Sequence, residues 1–190
     1  MDYVLIPEGL LRDRVERLAK NIYRAYRDSG ELTIIVIMNS AFRFFTDLLH
    51  FLNKASEHEA GRLKIRPFFV KVTTQHLDQA VVDFDQVQVP VTEEQVKGRN
   101  VLIVEDIFDS GTTIIKTRDV LMKQGLESLK VCTLFHKKNV KNLKHKYVAD
   151  FVGFLIPDVF VIGYGMDYNE YYRDLNHLCV INQAGIEQFK

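Results

Sequence analysis

The sequence predicts an α/β fold in which a mostly parallel central sheet is flanked by helices, and two observations carry that prediction. Short, almost wholly apolar runs rich in β-branched residues recur along the chain, and segments with helical spacing of their apolar residues lie between them. Strands alternating with helices of about ten residues or more indicate βαβ units. Ligands of such sheets bind beyond the carboxyl ends of the strands.

The elements follow in order. Leu11, Val15, Leu18, Ile22 and Ala25 recur at three- and four-residue spacing, which predicts a helix ended by Ser29-Gly30. Leu32 to Met38 then reads as a strand buried on both faces. A second helix places Phe44, Phe45, Leu48 and Leu52 on one side. Leu63 to Thr74 reads as a strand broken by Pro67, and the alternation of Val87, Val89 and Val91 suggests a β-ribbon or an edge excursion. Val101 to Glu105 is a buried strand. Ile114, Thr117, Leu121 and Met122 give a helix stopping at Gly125, and Leu129 to Phe135 is a further strand. Phe151 to Ile156, Phe160 to Ile162 and Leu178 to Ile181 complete the apolar runs.

At 190 residues the chain suits a single domain, 1–190, with a flexible loop at about 74–92 and a hood built largely from about 150–190. The 25 basic and 25 acidic side chains cancel, which argues against a nucleic-acid-coating surface. No apolar stretch has the length to cross a bilayer, and Met1-Asp2-Tyr3-Val4 lacks the form of a signal peptide. Cys132 and Cys179 sit in apolar runs and read as reduced core residues of a cytoplasmic protein.

Chemistry concentrates where Val101-Leu102-Ile103-Val104 runs into Glu105-Asp106, followed by Asp109 and then Ser110-Gly111-Thr112-Thr113 opening a helix. A buried strand delivers adjacent carboxylates to the sheet edge, and the chain turns at Gly111, where a missing Cβ lets a ligand approach. The free N–H groups of the helix start, beside Ser and Thr hydroxyls, make an anion site. A plain alternative is an acidic strand end with Asp109 or Ser110 as an ordinary N-cap. Acids beside an anion cradle suit a ligand with phosphate at one end and hydroxyls or Mg²⁺ at the other, the polarity of a ribose 5-phosphate derivative. A Walker loop is excluded, since no G-x-x-x-x-G-K-[ST] occurs.

This segment resembles the phosphoribosyl pyrophosphate (PRPP) motif of the purine phosphoribosyltransferases. Val4-Leu5-Ile6-Pro7, Lys97-Gly98-Arg99-Asn100, Asp150-Phe151-Val152-Gly153-Phe154 and Gly163 to Asn176 extend the resemblance over essentially the whole chain. Members of that family usually carry a further segment ahead of Val4. The resemblance implies a type I phosphoribosyltransferase fold with a small hood, Mg²⁺ as cofactor, and purine base, PRPP and nucleotide as small-molecule partners in a homodimer or homotetramer. It implies purine salvage: phosphoribosyl transfer to hypoxanthine or guanine, or to xanthine, giving nucleotide (IMP or GMP for the first two) and pyrophosphate.

Site roles follow position by position. Asp109 matches the general base that accepts the purine N7 proton, and Asp109, Ser110, Gly111, Thr112 and Thr113 match the phosphate loop. Glu105 and Asp106 match the ribose and PRPP contacts and, with Asp167, the metal ligands. On physical grounds Phe160 can stack on a base and the Val161 backbone can pair with its edge. Asp167 can bind an ion, and Arg173 can hold pyrophosphate through its fork of donors. Core packing, a turn and an ion pair are the plain alternatives for these four. By resemblance they match the purine and pyrophosphate contacts, with Asp167 counted at the purine as well as at the metal. Lys137, in His136-Lys137-Lys138 after the strand ending at Phe135, matches the lysine that donates to the purine 6-oxo group. Lys141, Lys144, His145 and Lys146 read as solvent-facing.

Two departures from the family stand out. Its usual Lys-Gly-Gly, which presents backbone donors to pyrophosphate, is replaced by Asn39-Ser40-Ala41, leaving Asn39 and Ser40 as the pyrophosphate-side residues and Ser40 as a helix cap. Its loop Ser-Tyr is matched best by Thr74-Gln75. Two functions are therefore carried forward: a transferase, and a divergent paralogue that binds purine nucleotides with weak or no transfer.

Overall fold

In the computed structural model, which describes residues 1–38, 40–57, 62–71, 89–138 and 147–189, the buried run at Leu32 forms the strand Glu31–Met38 (β2), after a first strand Tyr3–Ile6 (β1) and the helix Glu8–Tyr26 (α1). The helix Phe42–Glu57 (α2) leads to Lys64–Lys71 (β3), and the short helix Glu93–Val96 (α3) to Asn100–Phe108 (β4). Then come the helix Thr112–Met122 (α4), Ser128–Lys137 (β5), Phe151–Ile156 (β6), Val161–Ile162 (β7), Leu178–Val180 (β8) and the helix Gln183–Gln188 (α5).

Five strands form a wholly parallel sheet in the order β3-β2-β4-β5-β6. Leu11, Val15, Leu18 and Ile22 of α1 and Phe44, Phe45, Leu48 and Leu52 of α2 pack on one face with Ile34, Val36, Leu102 and Val104. Val96 of α3 and Ile114 and Leu121 of α4 cover the other, against Ile35, Val101, Ile103 and Val131. Burial on both faces explains why these strands read as continuous apolar runs. Pro67 does not break β3. It pairs with Ile34 in an edge strand, where a residue without an N–H is tolerated.

Differences from the sequence reading are local. Ala25 is exposed, and Tyr23 and Tyr26 supply the buried end of α1 instead. Met122 is exposed, and α4 ends there, ahead of Gly125. β5 runs past Phe135 to include His136 and Lys137, both buried rather than lying in a solvated basic loop. The hood is also divided differently. Phe151–Ile156 joins the main sheet, while β1 from the chain start pairs antiparallel with β8, and β8 with β7. Thr74, Gln75 and Val87 lie outside the described residues, as do Asn39, Lys141, Lys144, His145 and Lys146; Val89 and Val91 belong to no strand. Both cysteines are free and buried. No helix among the described residues is long and apolar enough to cross a membrane.

Candidate functional site

The site forms where β4 outruns its neighbour. Pairing of β2 with β4 ends at Val36↔Val104, whereas β4 and β5 stay paired to Phe108↔His136. Glu105 and Asp106 fall just past the last β2 contact. They lie inside β4 rather than beyond it, so successive side chains leave opposite faces. Glu105 lines a cleft of about 180 Å³ with Ile107, Asp109, Ser110, Gly111, Thr113 and Ile114. Asp106 is buried and directed instead to Ser40, whose hydroxyl donates to Asp106 Oδ1 at 3.0 Å. Ser40 therefore serves the acid, and α2 begins two residues later at Phe42.

Desolvation acts on both acids. Burial, reinforced by the neighbouring Asp106 charge, holds the Glu105 carboxyl well above the usual carboxylate range. Burial also raises Asp106, partly offset by hydrogen bonds from Ser40 and from the amides of Asp106 and Ile107, and by the charge of Arg173. Asp106 Oδ2 is buried and has no partner. Such an atom costs about 1–3 kcal/mol.

The loop after β4 has the form of an anion cradle. Gly111 adopts φ +79°, and a Cβ there would collide with the ring of Phe108. Gly111 is the residue before α4 and provides no side-chain cap. The Thr112 N–H donates to Ser110 Oγ at 3.3 Å, and Ser110 Oγ donates to Thr112 Oγ1 at 3.1 Å. Beneath the loop, Phe108 stacks on His136 with centroids 4.6 Å apart and planes 2° from parallel. His136 Nδ1 is buried without a partner, and burial lowers its pKa.

At the end of β5, Lys137 Nζ donates to Asp109 Oδ2 at 3.0 Å and lies 3.8 Å from Asp158 Oδ1. Lys137 is 8% exposed. Asp158, which the sequence reading did not single out, follows Pro157 after β6. Its register beside β5 is the only signal that could have placed it there, and that becomes visible only with the sheet.

The hood residues make contacts mainly with one another. Phe160 is half exposed, with its ring edge-on to Tyr168 at 5.7 Å, and Val161 is buried in β7 opposite Val180. Asp167 pairs with Arg173 Nη2 at 2.9 Å and accepts the Glu170 N–H at 2.8 Å. Arg173 Nη1 donates to the Gly165 carbonyl at 2.9 Å. Tyr164, Asn169, Glu170 and Tyr172 all have left-handed backbones, so the segment stores strain that its hydrogen bonds hold. Tyr164 donates to Asp47, and Arg43 lies over its ring at 4.9 Å while donating to the Leu175 carbonyl, which fastens the hood to α2. Sequence reasoning missed this clamp, because Arg43 looks like any exposed helical arginine until the hood folds onto it. Among the described residues, no group of three or more His, Cys, Asp or Glu is placed to hold a metal ion.

The phosphoribosyl transferase domain model matches residues 8–169. The chain is 35% identical to phosphoribosyltransferase domain-containing protein 1 of Xenopus laevis over 192 residues, covering 100% of this chain and 83% of that protein. It is 34% identical to hypoxanthine-guanine phosphoribosyltransferase of Homo sapiens over 190 residues, covering 100% of this chain and 85% of that protein. A crystal structure of hypoxanthine-guanine phosphoribosyltransferase from Schistosoma mansoni in complex with IMP superimposes with a TM-score of 0.81 at 34% identity, covering 100% of this chain and 86% of that one.

Proposed function

Because the chain belongs to the phosphoribosyltransferase family, we propose that it transfers the phosphoribosyl group of PRPP to a 6-oxopurine, hypoxanthine or guanine, giving IMP or GMP and pyrophosphate in purine salvage. The observation that carries this reading is the single cleft in which Glu105, Asp109, Ser110, Gly111 and Thr113 meet, with Lys137 3.0 Å from Asp109. A phosphate cradle, an acid and a buried cation stand within one nucleotide's reach.

In this reading the 5′-phosphate rests on Ser110 to Thr113, where the α4 N–H groups and hydroxyls donate to it. Glu105 reaches the ribose from the cleft and Asp106 from the opposite face of β4, each holding a hydroxyl. Phe160 stacks on the base, the Val161 backbone meets its edge, and Lys137 donates to the 6-oxo group. Asp109 takes the N7 proton as N9 attacks C1′ and pyrophosphate leaves. Arg173, with Asn39 on the pyrophosphate side, steadies the departing charge, while the Ser40 hydroxyl is committed to Asp106.

Mg²⁺ fits this donor set as an ion carried largely by substrate. Mg²⁺ usually keeps waters and takes only one or two carboxylates beside substrate phosphates, and Glu105, Asp106 and Asp167 would each offer it a hard oxygen singly rather than as a preformed cluster. When bound, it supplies positive charge to the pyrophosphate. Exposed Phe42 on α2 and Phe69 on β3 favour a homo-oligomer.

The replacement of Lys-Gly-Gly by Asn39-Ser40-Ala41 favours the second reading, a divergent paralogue that binds purine nucleotides. A steady-state assay with PRPP and hypoxanthine, guanine or xanthine separates the two. Nucleotide formation well above background establishes the transferase. Background rates with tight IMP or GMP binding establish the binding protein.

A further inference from the structure

Ser40 is held from both sides. Its hydroxyl donates to Asp106 Oδ1 at 3.0 Å. Its carbonyl faces Gly165 so closely that a Cβ on that glycine, at φ +100°, would come within 2.5 Å of it. Ala41 is fully buried and its carbonyl accepts the Phe45 N–H, so α2 fixes the chain immediately after Ser40. The Gly165 carbonyl accepts Arg173 Nη1, and Arg173 Nη2 pairs with Asp167. One residue thus touches the acid through its side chain and the arginine's turn through its backbone.

We infer that Ser40 is a positioning residue that fixes the Asp106 carboxylate so that its unpartnered Oδ2 faces a ribose hydroxyl of the bound nucleotide. This rests on the proposed nucleotide site. The Asp106 and Ile107 amides also bond to this carboxylate, and Ser40 adds the side-chain donor that engages Oδ1. With Oδ1 engaged by Ser40, only Oδ2 remains, buried and without a partner. An oriented acceptor discriminates against a ligand lacking the hydroxyl more sharply than a mobile one, because the unpaired buried oxygen then persists in the complex. A glycine at this position cannot do this. The substitution therefore moves part of the ribose recognition from the ligand-facing acid to the loop after β2.

The test is calorimetric binding of IMP, 2′-deoxy-IMP and 3′-deoxy-IMP to the full chain and to Ser40→Ala, Ser40→Gly and Asp106→Asn, with thermal melts of each. In the unsubstituted chain at least one deoxy nucleotide should bind about 10-fold or more weakly than IMP, from the lost charged hydrogen bond. Ser40→Ala and Ser40→Gly should reduce that ratio to within about threefold of unity while leaving the melting profile cooperative. A merely structural serine would lower the melting temperature and leave the ratio in place, and that result overturns the inference. Asp106→Asn reports on the underlying site: if it preserves the ratio, Asp106 does not face the ribose and the inference fails there. If the unsubstituted chain binds no nucleotide, the proposed function falls with it.

Discussion

Replacing Lys137 by methionine tests the purine side of the site and the local electrostatics together. Lys137 Nζ lies 3.0 Å from Asp109 and 3.8 Å from Asp158. Removing one partner of a fully buried pair costs about 3–5 kcal/mol. Here the Asp109 and Asp158 side chains are 43% and 48% exposed, so water solvates the carboxylates left behind. A cost of about 1–2 kcal/mol is then expected, which corresponds to a fall in Tm of about 2–8 °C for a chain of this size. The nucleotide effect is separate. Loss of a charged hydrogen bond to the 6-oxo group, about 1.5–3 kcal/mol, should weaken IMP and GMP about 10- to 150-fold. AMP, whose 6-amino group offers no such acceptor, should change far less. Calorimetric Kd values for IMP and AMP, with Tm by scanning calorimetry, give both readouts. An IMP affinity within twofold of the unsubstituted chain would reduce Lys137 to an ion-pair partner of Asp109, and the assigned base orientation would be abandoned.

Asp109→Asn should lower the transfer rate by about 100-fold or more, a typical share for a general base, with IMP affinity changed only a few-fold; a rate near that of the unsubstituted chain removes Asp109 from the chemistry. Gly111→Ala should cost about 1–2 kcal/mol from the left-handed backbone alone and displace the buried Phe108 ring that a Cβ meets, so that both Tm and ribose 5-phosphate binding fall; unchanged phosphate binding would show that the loop does not hold it. His136, whose folded pKa burial pulls below its ordinary value of about 6.5, bears on pH. Below about pH 6.5 the unfolded chain takes up a proton that the folded chain refuses, so stability falls with falling pH in that window and is unaffected by this group above it. His136→Gln should therefore flatten the slope of Tm between about pH 7 and 5.5, and an identical slope in the variant refutes the assignment.

The fold was largely legible because its strands are buried on both faces. A run such as Val101 to Val104 has no other economical reading once helices of regular spacing flank it. The turn from β4 into α4 was legible because the strand, the acids, Gly111 and the helix start are contiguous in sequence. Features made across the chain were not. The extension of β5 to Lys137 depends on pairing with Ile156, and polar residues at a strand end read as solvated until a neighbour covers them. The joining of β1 to β8 links residues nearly 180 positions apart, beyond any local pattern. Likewise Asp158 and Arg43 acquire partners only through tertiary packing, and their local sequence carries no mark of it.

Register also explains where the departures from the family act. β4 extends four residues past its last pairing with β2, from Val104 to Phe108, or about 13 Å at roughly 3.3 Å per residue. β2 continues through Ile37 and Met38 beside β3 alone, so a seam opens between β2 and β4. Asp106 lies in that seam, and the residue that closes it is Ser40. Glu105, Asp109 and the phosphate loop lie on the α4 side, where β5 still pairs with β4 as far as His136. A change of sequence in the loop after β2 therefore reaches Asp106 and, through Gly165, Arg173, while the turn at Ser110 to Thr113 is left alone. Under the proposed function, such a chain is expected to keep its 5′-phosphate contacts more readily than its turnover, because Ser110 to Thr113 lie on the side of β4 away from the seam.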